Sequence, residues 1–457
     1  MRGRLTPLRT TANKASLTNP RASICPGCLR LRRDFTNPNI TTQYPPARRR
    51  SQSTWAQAAT VAQHMLNGRA SADARFAGVS VDPLRIVAKE LKFLTNNIQN
   101  LLGSGHPMLD TVAKYYTNSE GKHIRPLLVL LMSRATALTT NPSRQPLIPT
   151  SSTIDNPISP SRVLSDINPS ATAGNPISTP SLDTAYVGDD SDILPSQRRL
   201  AEITELIHTA SLLHDDVIDN STSRRSSPSA NISFGNKMAV LAGDFLLGRA
   251  SVALARLRDA EVIELLATVI ANLVEGEFMQ LKNTAQDEAN PVWTEDTLSY
   301  YLQKTYLKSA SLISKSCRAT ALLGQTSPEV VEAAYSYGRN LGLAFQLVDD
   351  MLDYTTSSQA LGKPAGADLE LGLATAPLLF AWKDNQQLGV LVGRKFSAEG
   401  DVQMARELVA RSSGLEQTRA LAQEYADKAA DAVSKFPDSE AKDGLLEMCI
   451  GAVKRNK

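Results

Sequence analysis

Apolar residues recur with a helical period along most of the chain from Asp82 onward. The segment DPLRIVAKELKFLTNNIQNLL starts the pattern, and Pro83 suits the first turn of a helix. The pattern returns in MLDTVAKYYT and LLVLLMSRATAL. Further along it predicts helices over 199–220, 236–257, 259–283, 295–324, 328–355, 372–384, 401–411, 415–434 and 438–455. Strand-like alternation and fixed repeats are almost absent, which indicates an all-α domain.

The helical pattern is interrupted between residues 138 and 197. This stretch holds nine of the 24 prolines and is rich in Ser, Thr and Asn, so it predicts a disordered segment. Because it is too long for an ordinary connection between helices, we interpret it as an insertion. The catalytic domain is then residues 82–457, interrupted by 138–197.

The N-terminal segment differs in charge from the remainder of the chain. Residues 1–60 contain eleven Lys or Arg and one acidic residue, Asp34, so with a whole-chain charge of +3 the remainder carries −7. An Arg-, Ser- and Thr-rich start with few acids predicts a mitochondrial transit peptide and disordered lead over residues 1–75. The expected location is the matrix. A basic nucleic-acid-binding arm is the alternative, but the acidic remainder argues against a nucleic-acid partner.

Cysteine usage argues against a disulfide-stabilised or cysteine-ligated metal protein, and hydropathy argues against a membrane-spanning one. Four cysteines in 457 residues make no disulfide framework, and CPGC at 25–28 lacks a second pair that would complete a metal site. The longest uninterrupted apolar run, PLLVLLM at 126–132, is shorter than the roughly 20 residues that span a bilayer. We therefore expect no transmembrane segment, and at most peripheral contact with the inner membrane.

Two of the predicted helices carry aspartates within apolar sequence. In IHTASLLHDDVID, side chains four apart share a face, which aligns His208, Ser211, Asp215 and Asp219. The segment FQLVDDMLDY repeats the arrangement with Gln346, Asp349, Asp350 and Asp353. A single acidic stripe near a helix end is usually a solvated face. Two acidic stripes that are both flanked by Leu, Val and Ile argue against a pair of solvent-exposed helix faces.

Six carboxylates would surround one cavity if these two helices face each other: Asp215, Asp216, Asp219, Asp349, Asp350 and Asp353. Like charges so close raise each other's pKa values and destabilise the fold. Mg²⁺ removes this conflict, because it binds carboxylate oxygens and keeps positions open for phosphate oxygens. The pattern therefore predicts a magnesium site that receives a diphosphate.

Basic residues accompany the aspartates, as a diphosphate ligand requires. Lys122 and Arg125 stand at the start of an apolar helix, whose N-terminus favours anions. Arg224 and Arg225 follow the first aspartate group, and guanidinium groups bind phosphate oxygens in pairs. Further donors are Lys304, Thr305 and Lys363. A single basic residue is more often a surface charge. These residues are candidate phosphate ligands because they accompany the two aspartate groups.

The chain resembles the trans-isoprenyl diphosphate synthases over roughly residues 85–457, apart from the insertion. The motifs that carry the resemblance are GKHIRP, HTASLLHDDVID followed by RR, GNKMAVLAGDFLLGRA, EGEFMQL, KT at 304–305, AFQLVDDMLDY and LGKPAGADL. The likeness is greatest to the long-chain polyprenyl branch, which makes ubiquinone side chains in mitochondria. It implies an isoprenoid-synthase-type helical bundle around a central cavity, and a homodimer or a heteromer.

The resemblance also implies the reaction and the residues that perform it. Isopentenyl diphosphate is added repeatedly to an allylic diphosphate, farnesyl or geranylgeranyl, with three Mg²⁺ ions per site when substrate is bound. The six aspartates are metal ligands, and the implied catalytic residues are Asp215, Asp219, Asp349 and Lys304. Isopentenyl diphosphate would be held by Lys122, Arg125, His208 and Arg225. The allylic diphosphate would be held by Arg224, Lys304, Thr305, Gln346 and Lys363.

One position departs from the family pattern, and two others bear on product length. Many relatives carry a Lys ten residues after the equivalent of Lys363, whereas this chain has Leu373, so one phosphate contact is missing or replaced. Ala210 and Ser211 lie one turn before Asp215, where short-chain relatives tend to have an aromatic residue. An isoprene unit is about as long as one helical turn, roughly 5 Å. Small side chains there predict a product longer than geranylgeranyl diphosphate, unless they serve tight helix packing.

Three other functions compete with this prediction. A class I terpene cyclase does not need GKHIRP, and its second motif usually mixes Asn, Ser or Thr, and Glu, where this chain has DDMLD. A non-catalytic subunit of a heteromeric synthase usually lacks carboxylates in one motif, and both motifs are intact here. A short-chain synthase that makes geranylgeranyl diphosphate remains the nearest alternative.

Overall fold

Helices make up nearly all of the regular structure in the described part of the chain. The computed structural model describes residues 81–102, 104, 106–117, 123–139, 192–224, 227–281, 291–355 and 366–455. The first helices are α1 (Pro83–Ile86), α2 (Ala88–Leu101), α3 (Pro107–Lys114), α4 (Ile124–Ala137), α5 (Pro195–Ile218), α6 (Ala230–Phe234), α7 (Asn236–Arg256) and α8 (Ala260–Leu281). A short antiparallel pair, β1 (Ser223–Arg224) and β2 (Ser227–Pro228), follows α5.

The second half of the chain continues the helical pattern with one irregular turn. Its elements are α9 (Glu295–Thr305), a π-helical segment (Tyr306–Ala310), α10 (Ser311–Leu323), α11 (Pro328–Thr355), α12 (Ala367–Glu370), α13 (Ala376–Asp384), α14 (Gln387–Gly393), α15 (Asp401–Ala410), α16 (Gly414–Val433) and α17 (Glu440–Lys454). The predicted all-α class is confirmed. The helix predicted over 295–324 is divided by the π-helical segment, and the short helices α6, α12 and α14 have too few turns for a periodic signal.

The predicted start of the insertion, residue 138, directly follows the end of α4. Its predicted end, residue 197, lies two residues after the start of α5 at Pro195. Helix α5 starts at Pro195 because Pro fits the first helical position and the Gln197 side chain accepts a hydrogen bond from the Leu194 amide at 3.0 Å. Most of the insertion, and the predicted transit peptide, lie outside the described residues.

Two apolar clusters form the core and fix the helices that carry the aspartates. In the larger, α5 packs against α4 and α7, and α11 packs against α10. In the smaller, the C-terminal part of α11 meets α9, α13 and α16. Side chains from all sides of α5 are buried, among them Leu200, Ile203 and Leu206. The apolar sequence before the first aspartate group is therefore explained by a central position, whereas Ile218 within the group is 40% exposed.

The π-helical segment lies very close to two neighbouring helices. A Cβ atom on Gly276 of α8 would lie 2.9 Å from the backbone nitrogen of Lys308, and one on Gly342 of α11 would lie 2.7 Å from the Ala310 Cβ. Glycine at both positions is what allows this approach. Wide turns of this kind are frequent at functional sites, and this one presents Lys308 towards the first aspartate group.

Candidate active site

The first aspartate group lies in the last turn of α5, where Asp215 and Asp219 share a face. Both side chains are half-buried. Burial raises the pKa of Asp215 from its ordinary value of 3.8 to about 6, and it also raises the pKa of Asp219. Neighbouring carboxylates, Glu277 among them, add to both increases. The fold alone therefore compensates these two charges incompletely.

Lys308 is the cation that faces this pair of aspartates. Its Nζ lies 2.6 Å from Glu277 Oε2 in an ion pair between the π-helical segment and α8. Burial lowers the pKa of Lys308, but Asp215 and Glu277 more than offset that effect, so its pKa is raised and its charge is retained. The sequence reasoning missed Lys308, although its spacing of four residues from Lys304 places both on one side of a helix.

Asp216 points away from Asp215 into the protein and is fully buried. Arg224 donates to it from Nε at 2.9 Å and from Nη2 at 2.6 Å, and the Tyr116 hydroxyl donates to its other oxygen. Burial, reinforced by Asp216, raises the pKa of Tyr116, so the phenol keeps its proton. In this arrangement Asp216 and Arg224 bind each other, which differs from the predicted metal and diphosphate contacts.

The second aspartate group lies near the C-terminal end of α11, and each member has a protein partner. Asp349 is exposed and pairs with Arg455, with Nη1 2.9 Å from Oδ1. Asp350 is buried and accepts hydrogen bonds from the Tyr301 hydroxyl at 2.6 Å and Gln346 Nε2 at 2.8 Å. Burial raises its pKa.

Asp353 is the third member of this group, and Lys304 and Thr305 are the residues of α9 that are predicted to hold the allylic diphosphate. Asp353 is buried and accepts a hydrogen bond at 3.3 Å from the backbone amide of Asp368 in α12. Thr305 is also buried. The Lys304 Nζ lies 5.4 Å from the centre of the Tyr301 ring, close enough for a cation–π contact.

Two of the residues predicted to hold isopentenyl diphosphate, Arg125 and His208, contact each other at the start of α4. Arg125 Nη1 donates to His208 Nε2 at 2.9 Å, which joins α4 to α5. Since Arg has no acceptor, this contact makes Nε2 the acceptor of a neutral imidazole. Lys122, Arg225 and Lys363 lie outside the described residues.

The residues predicted to control product length are tightly packed. Ala210 is fully buried and belongs to the larger apolar cluster. Ser211 is half-buried, and its hydroxyl donates to the His208 carbonyl at 2.8 Å. A larger side chain at position 210 would displace its neighbours or extend into adjoining space.

The donor atoms match magnesium in chemistry. Hard carboxylate oxygens are the ligands that Mg²⁺ prefers, and the raised pKa values of Asp215 and Asp219 indicate charges that a cation would stabilise. Among the residues with described positions, no three acidic, His or Cys side chains converge as they would around one ion. Lys308 and Arg455 stand beside the carboxylates and balance part of their charge.

Comparisons with known proteins identify the family of this chain. The polyprenyl synthetase family matches residues 178–409. A Neurospora crassa protein named as a probable mitochondrial hexaprenyl pyrophosphate synthase is 68% identical over 90% of this chain and 90% of its own length. The mitochondrial hexaprenyl pyrophosphate synthase of Saccharomyces cerevisiae is 44% identical over 82% of this chain and 91% of its own.

A solved structure supports the same relationship. The polyprenyl synthase of Caulobacter crescentus, complexed with calcium and isoprenyl diphosphate, superposes with a TM-score of 0.65 and 30% identity. The alignment covers 83% of this chain and 98% of that one. The chain belongs to the polyprenyl synthetase family, whose members use Mg²⁺ for catalysis. It is a prenyltransferase of the long-chain polyprenyl diphosphate synthase branch, and its predicted mitochondrial location is confirmed.

Proposed function

We propose that the protein adds isopentenyl diphosphate repeatedly to farnesyl or geranylgeranyl diphosphate and makes the isoprenoid side chain of ubiquinone. The hexaprenyl products named for the two fungal relatives suggest a hexaprenyl product here. The observation that carries the proposal is the pair Asp215 and Asp219, half-buried opposite Lys308. An acidic pair beside a half-buried cation suits a metal–diphosphate complex.

Asp215, Asp219 and Asp349 would hold three Mg²⁺ ions, with Asp216, Asp350 and Asp353 in support. The ions supply positive charge to the oxygens of the leaving diphosphate. Lys308 adds charge from the protein, and Arg224, Lys304, Thr305, Gln346 and Lys363 complete the allylic site. Arg125 and His208, with Lys122 and Arg225, orient isopentenyl diphosphate. Leu213 is fully buried beside the first aspartate group and helps exclude water.

Each round of the reaction breaks one bond and forms another. The allylic C–O bond breaks, and the diphosphate leaves with the electron pair. The double bond of isopentenyl diphosphate then supplies the electrons for a new C–C bond to the allylic carbon. Loss of a proton from the neighbouring carbon restores a double bond, which yields an allylic diphosphate longer by one unit.

Product sizing tests this function. Mature protein incubated with Mg²⁺, farnesyl diphosphate and labelled isopentenyl diphosphate should yield a labelled product longer than geranylgeranyl diphosphate by chromatography. Chelation of the metal should stop elongation. A product that ends at geranylgeranyl diphosphate would indicate a short-chain synthase, and absence of any product would support a non-catalytic subunit.

An Ala210→Phe variant is expected to shorten the product. Ala210 is fully buried one turn before Asp215, so the added ring would occupy space along α5 that the growing chain needs. Crowding should also lower the free energy of unfolding, by about 1–3 kcal/mol. The measurement is the product length distribution, with Ala398→Phe at an exposed position as the control. An unchanged distribution in a folded Ala210→Phe variant would contradict the assignment.

We also propose that a second copy of the chain covers an apolar face of α7 and α8. Leu241 of α7 is 57% exposed, and Phe278 of α8 is 69% exposed. In the described part of the chain, α7 alone has the length and composition of a membrane-spanning helix, and 44% of that segment is buried. This helix contains no uninterrupted apolar run of membrane-spanning length, because Lys237, Asp244 and Arg249 interrupt it.

A Phe278→Asp variant is expected to dissociate the dimer. A charge at the centre of an apolar interface is left unpaired when the interface forms. Light scattering during size-exclusion chromatography should give the mass of a dimer for the parent protein and of a monomer for the variant. If the parent protein is a monomer, or if it assembles solely with a different subunit, the proposal of a homodimer is wrong.

A further inference from the structure

Gln346 of α11 joins the π-helical segment to the second aspartate group. Its side-chain oxygen accepts a hydrogen bond from the Ser309 hydroxyl at 2.7 Å, and its side-chain nitrogen donates to Asp350 Oδ1 at 2.8 Å. The other oxygen of Asp350 accepts a hydrogen bond from the Tyr301 hydroxyl at 2.6 Å. A series of hydrogen bonds therefore connects the π-helical segment, α11 and α9 through one buried carboxylate.

The orientation of the Gln346 amide follows from its two partners. An ionised carboxylate accepts hydrogen bonds but cannot donate them, so Asp350 requires the nitrogen end of the amide. Ser309 donates to the oxygen end, which holds the half-buried Gln346 side chain in one position. An amide nitrogen carries two N–H groups, and in the described part of the chain its hydrogen-bond partner is Asp350. The second N–H can donate to an oxygen of a bound diphosphate.

Helix packing brings Ser309 within reach of α11. Ala310, the next residue of the π-helical segment, lies so close to Gly342 that a Cβ atom on this glycine would be 2.7 Å from the Ala310 Cβ. Gly342 and Gln346 are four residues apart and share a face of α11. The close approach at Gly342 therefore places the π-helical segment along the face that carries Gln346.

Ser309 differs from the neighbouring serines in what its hydroxyl binds. Ser311 donates to the Leu307 carbonyl at 2.7 Å, and Ser314 donates to the Ser311 carbonyl at 3.0 Å. Helical serines are often satisfied in this way by a preceding backbone carbonyl. The Ser309 hydroxyl instead donates to a side chain of a different helix, and that side chain contacts the second aspartate group. This hydrogen bond therefore serves the site and adds none to the helix itself.

We propose that Ser309 is a positioning residue for the allylic diphosphate, which it orients through the side-chain amide of Gln346. The amide nitrogen serves Asp350 and the bound substrate together, and Ser309 fixes its place. This inference rests on the proposed function, since it assumes that Gln346 contacts the allylic diphosphate. The predicted ligands of isopentenyl diphosphate, Arg125 and His208 among them, have no contact with this series, so binding of that substrate should be independent of Ser309.

A double-mutant cycle between Ser309 and Gln346 provides the test. Ser309→Ala, Gln346→Ala and the double variant would be titrated by calorimetry with inorganic pyrophosphate in the presence of Mg²⁺. Loss of one hydrogen bond should weaken binding about 3- to 10-fold in Ser309→Ala. In the Gln346→Ala background the same change should cost less than about twofold, because no amide remains to be positioned. Ser309→Thr, which keeps the hydroxyl, should bind almost as tightly as the parent protein.

Ser311→Ala is the matched control. It removes the hydroxyl of a buried serine two residues away, and that hydroxyl binds a backbone carbonyl of its own helical stretch. Pyrophosphate binding in this variant should equal that of the parent protein, whatever the change in Tm.

Steady-state kinetics gives a second readout. The apparent KM for farnesyl diphosphate should rise in Ser309→Ala and return in Ser309→Thr, while the KM for isopentenyl diphosphate stays unchanged. A role in folding alone would lower Tm and leave both KM values as they are in the parent protein.

The inference is overturned if Ser309→Ala binds pyrophosphate as the parent protein does, or if its loss is equally large in the Gln346→Ala background. A parallel rise of both KM values would also overturn it. A parent protein that does not bind pyrophosphate with Mg²⁺ would instead contradict the proposed function.

Discussion

An Asp215→Asn variant is expected to lose about 10³-fold in kcat while it remains folded. Asp215 is half-buried and faces Lys308. An amide is a weaker ligand for Mg²⁺ than a carboxylate and carries no charge, so the leaving diphosphate would lose stabilisation in the transition state. The measurement is kcat with farnesyl diphosphate and labelled isopentenyl diphosphate at saturating Mg²⁺. An Asp438→Asn variant, changed at a fully exposed carboxylate, should keep full activity.

The Asp215→Asn variant should be no less stable than the parent protein without Mg²⁺, although its activity falls. The pKa of Asp215 is about 6 in the folded protein and 3.8 in its ordinary state, so between these values the unfolded chain binds fewer protons. Stability from this group therefore falls as the pH rises through that range, and ionised Asp215 is unfavourable at pH 7. Without Mg²⁺, Asp215→Asn should melt at the same temperature as the parent or higher. Mg²⁺ with pyrophosphate should raise the parent's Tm more than the variant's. A variant that retains kcat within tenfold would contradict the role of Asp215.

Much of the fold could be predicted because the helices are long and packed on apolar faces. Periodicity predicted α11 with the bounds that the structure gives, and it predicted α7 within one residue. The π-helical segment was not predictable in this way, because Tyr306–Ala310 has an ordinary helical composition. The segment depends on close contacts with Gly276 and Gly342, which are distant in sequence.

The site was predictable where it depends on spacing along one helix. Asp215 and Asp219 share a face because they are four residues apart, and the same geometry turns Asp216 away by about 100°. The partners of these groups come from elsewhere in the chain. Tyr116 and Arg224 bind Asp216, and Arg455 pairs with Asp349. One sequence does not reveal such pairs, because they are set by how distant elements pack.

The arrangement around Asp216 divides one sequence motif between two physical roles. Asp215 and Asp219 face the site and suit the binding of cations, whereas Asp216 joins the end of α5 to Arg224 in β1 and to Tyr116 after α3. The Tyr116 hydroxyl also accepts a hydrogen bond from the Ala230 amide at 2.8 Å, which extends the connection to α6. Asp216 therefore holds together the segments that surround the first aspartate group.

An Asp216→Asn variant is expected to lower the free energy of unfolding by about 3–5 kcal/mol, because it leaves the Arg224 guanidinium partly buried without a counter-charge. Urea unfolding followed by circular dichroism would measure the loss. Replacing both partners, in Asp216→Leu with Arg224→Met, should recover part of it, since no unpaired charge remains. If Asp216→Asn unfolds at the same urea concentration as the parent, or if the double variant loses as much as the two single variants together, Asp216 does not act as a structural anchor.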